Sequence, residues 1–279
     1  MDPPRPIRSD CRLDTRLADG SNGPMMGRLR AYSMMAVWGV SLALLGPPCI
    51  LMTVLTGREW FTTLPGSFCV GLGLRVGGVR VRVVGREHID PKAVYVYTPN
   101  HQSLLDAPIV WLTLGTPRRR VGFLVKTELE RIPIFGTGIK AIGCIPVERG
   151  NRETAVDSAR RGTVRLHEGR SFAVFPEGTR TRDGRLQPFK KGAFHMALDA
   201  RVPVVPVTID GAYRAMPPGA MRLFPTPVTV TIHEPIPTAD LGDDGLSELM
   251  ARTQAVIASA LIEDATCDTS VGKSAASRL

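Results

Sequence analysis

The chain has 279 residues, 43% of them hydrophobic, enough for one ordinary globular domain and an appendage. Its formal charge of +9 favours an anionic partner, such as an acidic lipid surface, a phosphorylated metabolite or nucleic acid. With only four Tyr and three Trp and no basic run interleaved with aromatics, the composition argues against a stacking platform for single strands, and no nucleic-acid partner is expected. The five cysteines are scattered and form no C-x-x-C pair, which argues against a zinc site or a disulfide framework and suits the reducing cytosol.

Residues 1–30, rich in Pro, Gly, Asp and Arg, read as a mobile tail. From Ala31 to Gly57 there are 27 residues without a charge, more than the about 20 apolar residues that cross a bilayer. The run starts late and lacks an Ala-x-Ala exit, so a cleaved signal peptide is disfavoured. Gly46-Pro47-Pro48 should break or bend a helix there, since two prolines remove donors and crowd the preceding turn. A second apolar stretch runs from Trp60 to Leu74. Residues 31–74 are therefore read as a membrane segment, either one spanning helix or a bent hairpin dipping into one leaflet. Arginines lie on both sides of the run, so charge bias leaves the topology open.

Residues 75–263 form the expected catalytic part. Strands are expected over Val79–Val83, Ala93–Tyr97, Val121–Lys126, Gly143–Val147, Ser171–Phe175, Val202–Ile209 and Val228–His233. Helices are expected from Leu104 to Leu114, Arg152 to Glu168, Lys191 to Asp199 and Ser247 to Ile262. The first has Asp106 as an alternative start, because Pro108 is tolerated only in an opening turn, and Ser103 is a candidate cap. The alternation implies an α/β fold: a single mixed, largely parallel sheet flanked by helices, preceded by an N-terminal hydrophobic helical membrane anchor. Residues 264–279 read as a disordered tail.

Two motifs carry the chemistry. Asn100-His101-Gln102-Ser103-Leu104-Leu105-Asp106 sets an imidazole and a carboxylate five positions apart. Imidazole, with an ordinary pKa near about 6.5, suits a general base. A carboxylate on one ring nitrogen would fix its tautomer and stabilise the imidazolium. The plain alternative is a loop histidine whose Asp106 neighbour caps the next helix. Ser103 lacks a G-x-S-x-G turn and reads as a cap rather than a nucleophile. After 68 intervening residues comes Phe175-Pro176-Glu177-Gly178-Thr179-Arg180. Pro176 and Gly178 alone would describe a strand-to-loop corner, but that leaves Glu177 and Arg180 unexplained, and an arginine fork suits a phosphate monoester. Arg180, Arg182, Arg185, Lys190 and Lys191 make a dense basic patch beside it, fit for anionic substrates or headgroups. Gly71–Gly77 has its third glycine one place late for a dinucleotide fingerprint, and Gly272-Lys273-Ser274 has Cys267 where a P-loop needs glycine.

Together and in this order the two motifs resemble the glycerolphosphate acyltransferase family, most closely the 1-acyl-sn-glycerol-3-phosphate (lysophosphatidic acid) acyltransferases. Gly143-Cys144-Ile145-Pro146-Val147-Glu148-Arg149 resembles the family's second motif, with Pro146 where Phe is usual. Val202-Pro203-Val204-Val205-Pro206-Val207 resembles the fourth, by physics alone an apolar edge or pocket wall. The resemblance covers about residues 95–210. It implies that His101 and Asp106 are catalytic, and that Glu177, Gly178, Thr179 and Arg180, with Arg149, surround the glycerol phosphate. Lys126 matches a lysine many members carry, although a strand-end lysine needs no function. The implied partners are a lysophospholipid acceptor, acyl-CoA or acyl carrier protein as donor, and an anionic membrane surface, with no cofactor and no metal. The implied place is the membrane, catalytic domain facing the cytoplasm. Glycerol 3-phosphate, other lysophospholipids and lyso-ornithine lipids are rival acceptors; a peripheral lipid-binding protein and a nucleic-acid binder are the non-enzymatic alternatives.

Overall fold

The computed structural model describes residues 23–115, 120–148, 150–219, 221–239, 241 and 245–261. Both terminal tails, up to residue 22 and from residue 262, lie outside the described residues.

The N-terminal segment is a helical hairpin, α1 (Pro24–Thr56) and α2 (Trp60–Val76). Helix α1 begins inside the stretch expected to be a tail. Pro24 lies in its first turn, where the ring's fixed φ suits a helix start. Gly27, Ala31 and Met34 then bury one stripe, with Gly27 against Leu223. Nor does the helix end at Pro47-Pro48. Residues on both sides of the pair are seated by tertiary contact, Gly46 against Ile134 and Ile50 against Gly138, which offsets the bonds the prolines remove. The hairpin closes where Gly73 lies under the Trp38 ring, whose Nε1–H donates to the Val70 carbonyl at 3.3 Å. Thr53 and Thr62 hydroxyls meet across the seam at 2.7 Å.

The seven strands are β1 (Arg80–Val84), β2 (Val96–Pro99), β3 (Val121–Lys126), β4 (Ile145–Val147), β5 (Ser171–Ala173), β6 (Val204–Asp210) and β7 (Pro227–Ile232). Their order in the sheet is β1-β7-β6-β2-β5-β3-β4, and every pairing is parallel except β6 with β7. Strands β2 to β6 therefore all end on one edge. β6 lies inside the sheet with its first six residues buried, so Val204–Val207 is an interior wall and not an edge, and Val202-Pro203 leads into it. Pro206 is tolerated there, and its carbonyl still accepts from the His233 N–H at 3.0 Å.

The connecting helices are α3 (Asp106–Leu114), α4 (Phe135–Ala141), α5 (Arg152–His167), α6 (Gly192–Ala200), the one-turn α7 (Ala212–Ala215) and α8 (Gly245–Ala260). Alternating residues divide the core between the sheet's faces. Val205, Val207 and Ile209 join Ile109, Val110 and Leu114 of α3 and Ala31, Met34 and Leu74 of the hairpin. Val204 and Phe172 join Leu166 of α5, Phe194 and Met196 of α6, and Leu249 and Ile257 of α8. The hairpin is thus an outer layer over α3, Gly66 touching Trp111 and Gly71 touching Leu112. Its tip is tied down by Glu59, which pairs with the Arg170 guanidinium through both carboxylate oxygens, while Arg170 also donates to the Ile142 carbonyl at 2.8 Å.

Candidate active site

In a parallel sheet the loops leaving the carboxyl ends share one edge, and neighbouring strands are about 4.8 Å apart. Here β2 delivers His101, β5 delivers residues 174–191 beside it, β3 delivers Lys126, and β4 ends at Val147, two residues before Arg149. Arg149 itself lies outside the described residues. By strand count, Lys126 stands about 10 Å from the β2 axis. It forms an ion pair with Glu128 at 2.8 Å, and both side chains are half exposed.

The His101 loop is built by its neighbours. Asn100 continues the β2–β6 ladder with its side chain: Nδ2 donates to the Ile209 carbonyl at 3.0 Å and Oδ1 accepts from the Ile209 N–H at 2.7 Å. The chain then turns, and α3 starts at Asp106, the later of the two starts the sequence allowed. Asp106 is fully buried, and its Oδ2 accepts from the Gln102 N–H at 2.6 Å, the Ser103 N–H at 2.7 Å and His101 Nδ1 at 2.9 Å. An oxygen already receiving two amide hydrogens acts as an acceptor toward the ring. Nδ1 therefore carries the proton and Nε2 is the basic nitrogen. The carboxylate also stands in the first turn of α3, where the helix dipole favours negative charge. Phe175 stacks on the imidazole with centroids 4.2 Å apart, which limits its rotation.

Ser103 is not the helix cap. Its hydroxyl donates to the Met216 carbonyl at 2.9 Å and accepts from the Leu105 N–H at 3.3 Å, while Leu105 takes the capping position. Both capacities are spent on fixing the loop.

Glu177 joins the two motifs. It is 3% exposed; Oε1 accepts the His101 N–H at 2.6 Å and Oε2 accepts the Gln187 N–H at 2.9 Å. Burial pushes its carboxyl up to about 7, against the lowering effect of those two amides. Thr181 adds a return bond, its N–H to the His101 carbonyl at 2.9 Å. The rest of the loop is held by Gln102, whose side chain donates to the Gly184 carbonyl at 2.9 Å, and by the Tyr213 hydroxyl on the Arg182 carbonyl at 3.2 Å. Gly178 takes a φ of +73° beneath the Lys190 side chain, a left-handed backbone conformation that favours glycine. Thr179 and Arg180 are exposed at the bend, as are Arg182, Arg185, Lys190 and Lys191.

The edge thus holds a hydrogen-bonded imidazole with an available Nε2, a rigid loop behind it and a rim of cations. That set can remove a proton from a hydroxyl and attract an anion. Sequence reasoning missed Asn100, Gln187 and Tyr213 as supports, and only Asn100, inside the first motif, stood where a signal was visible. Among the described residues no group of three or more metal-ligating side chains is found.

Known proteins resemble this chain. The acyltransferase family model matches residues 80–210. A 1-acyl-sn-glycerol-3-phosphate acyltransferase of Limnanthes douglasii is 35% identical over 214 residues, 76% of this chain and 72% of the relative. A chloroplastic 1-acyl-sn-glycerol-3-phosphate acyltransferase of Arabidopsis thaliana is 40% identical over 161 residues, 56% of this chain and 44% of that one. The crystal structure of the 1-acyl-sn-glycerophosphate acyltransferase PlsC from Thermotoga maritima superposes with a TM-score of 0.73 at 26% identity, covering 84% of this chain and 93% of that one. By this likeness the chain belongs to the acyltransferase family, among the 1-acyl-sn-glycerol-3-phosphate acyltransferases.

Proposed function

We propose that this acyltransferase moves a fatty acyl chain from a carrier thioester, acyl-CoA or acyl carrier protein, to the free hydroxyl of 1-acyl-glycerol 3-phosphate, giving phosphatidic acid for phospholipid synthesis. The observation that carries the reading is the 2.9 Å contact between His101 Nδ1 and the buried Asp106 carboxylate.

In this reading His101 Nε2 takes the proton of the acceptor hydroxyl as its oxygen attacks the thioester carbonyl. Asp106 stabilises the imidazolium that forms. The tetrahedral intermediate collapses, the C–S bond breaks, and the imidazolium proton goes to the departing thiolate. A thiol with a pKa near about 8.5 leaves readily, so the reaction needs no stronger acid, and we assign it no cofactor. Arg180, with Arg149, receives the acceptor's phosphate, since guanidinium forks match its oxygens. Thr179 and Gly178 shape that bend, Lys126 lends positive charge from the next strand but one, and Glu177 acts from behind by holding the His101 backbone.

The hairpin keeps the site at an anionic bilayer surface, where the acceptor's own chain resides, with the catalytic domain facing the cytoplasm. Helix α1 touches the domain at Gly27 and again at Ile50, 23 residues or about 35 Å apart. A helix so fastened cannot cross a hydrocarbon core of about 30 Å while the domain stays in water, which supports insertion into one leaflet. The test is a mass-spectrometric product assay of lyso-lipids with both donors. Phosphatidic acid should dominate. Preferred acylation of a lyso-ornithine lipid or another lysophospholipid would replace the acceptor, and no turnover with any would leave a peripheral lipid-binding protein.

A further inference from the structure

Between β3 and α4 the chain makes a bend, Ile132-Pro133-Ile134-Phe135, that the chemistry above does not use. Ile134 has φ +64° and ψ −54°, and the Phe135 N–H donates to the Pro133 carbonyl at 2.6 Å. This is a γ-turn with positive φ, a rare and strained form, on a β-branched residue for which such a φ is an outlier. Strain of this kind persists only where surrounding contacts impose it, and it concentrates where function uses it.

The turn has a clear geometric effect. It presses the Ile134 side chain against Gly46 of α1, at the spot where a Cβ would already collide. Ile132 and Phe135, on either side, are left 45% and 36% exposed. No charged residue interrupts the four, whereas exposed Arg131 precedes them and exposed Lys140, 3.7 Å from Glu130, follows on α4. The Gly46 contact seats the bend against the hairpin, which itself exposes Val40, Leu44, Leu45 and Leu51 on α1 and Phe68 on α2. The bend follows the end of β3, so it stands on the same sheet edge as His101.

We infer that Ile132–Phe135 is a second lipid-contacting element, a wedge that enters the leaflet beside the hairpin at the mouth of the site. The occupant is the bilayer: an apolar tip flanked by cations fits acyl chains below and phosphate headgroups above. A rigid turn is needed because a flexible loop would fold these side chains back onto the protein. The inference rests on the hairpin lying in the membrane, and it adds that the catalytic domain dips in at its acceptor side.

Full-length Phe135→Trp and Phe68→Trp variants, each bound to phosphatidylglycerol–phosphatidylcholine vesicles carrying brominated acyl chains, separate the two ideas. The added tryptophan is read as the difference from the three native ones. Bromolipid quenching of both, with shielding from aqueous acrylamide, is the expected result. Quenching of the Phe68→Trp probe alone, with the Phe135→Trp probe open to acrylamide, overturns the wedge and leaves the hairpin reading intact. Quenching of neither overturns both. If Phe135→Trp fails to fold, Ile132→Trp carries the same test. In parallel, Ile132→Asn/Phe135→Asn should raise KM about tenfold for acceptor held in a bilayer and leave KM for a short-chain acceptor in solution unchanged. An equal change for both acceptors would also overturn the wedge.

Discussion

Replacing Glu177 with Gln removes one buried charge and disturbs two backbone contacts, and the two effects respond differently to pH. The native carboxyl is pushed up to about 7 from an ordinary 4.5, chiefly by burial. At 1.36 kcal/mol per pH unit, that displacement is worth about 3 kcal/mol. The folded-state value lies above the unfolded one, so the protonated acid is favoured in the folded chain. Its stabilising contribution is complete below about pH 4.5 and is lost as pH rises through 7. Glutamine does not titrate and lacks this dependence. It can still accept one of the His101 and Gln187 amides, but its NH2 then faces the other, leaving a buried donor unpaired at a cost of about 1–3 kcal/mol. In urea unfolding of the detergent-solubilised protein, Glu177→Gln should be clearly less stable than wild type at pH 5. The gap should narrow by about 2.5 kcal/mol by pH 8, bringing the variant level with wild type because it no longer buries a charge. Activity should behave otherwise: displacement of the His101 backbone should lower kcat at least tenfold at both pH values, since misplacement by about 1 Å costs up to about 10^2. A stability gap that stayed constant from pH 5 to 8 would refute the burial argument. Unchanged kcat would refute the positioning role.

His101→Ala should lower kcat by about 10^2–10^4 with the chain still folded, and Asp106→Asn should lower kcat as well, both followed by acyl transfer from labelled thioester. More than a tenth of wild-type turnover in the alanine variant would remove the base. Arg180→Ala should depress kcat/KM with lysophosphatidic acid by about 30-fold or more, far more than with an acceptor lacking the terminal phosphate, and Arg180→Lys should recover only part; an unchanged ratio between acceptors would dismiss the phosphate clamp. Glu59→Ala strands the Arg170 guanidinium at the hairpin tip and should destabilise the fold by about 2–4 kcal/mol, near the range for broken buried pairs, while Glu59→Ala/Arg170→Ala should be less damaging than the two changes summed. Additive effects in thermal unfolding would mean the pair does not hold the hairpin down.

Much of this protein was legible in its residue order. The charge-free run, the period-two strands and the amphipathic helices are local patterns, set by how each residue meets water and its near neighbours, and most of the expected elements stand within two residues of their expected bounds. The His101–Asp106 pairing was equally local, because five residues and one tight turn bring the groups together. The partners of Glu177 were not, lying 76 residues back along the chain and ten ahead, and a carboxylate in a loop reads the same whether it meets substrate or backbone amides. The sheet order decided that the second motif stands next to the first, that β6 is interior, and that Lys126 is farther off with Glu128 at hand. Tertiary contacts likewise carried α1 through Pro47-Pro48 and imposed the γ-turn at Ile134, against what local propensity favours in both places. Sequence sets local preference through short-range sterics and hydration. Only packing between segments distant in the chain supplies the energy to overrule it, and that packing fixes which face of each motif is left for the substrate.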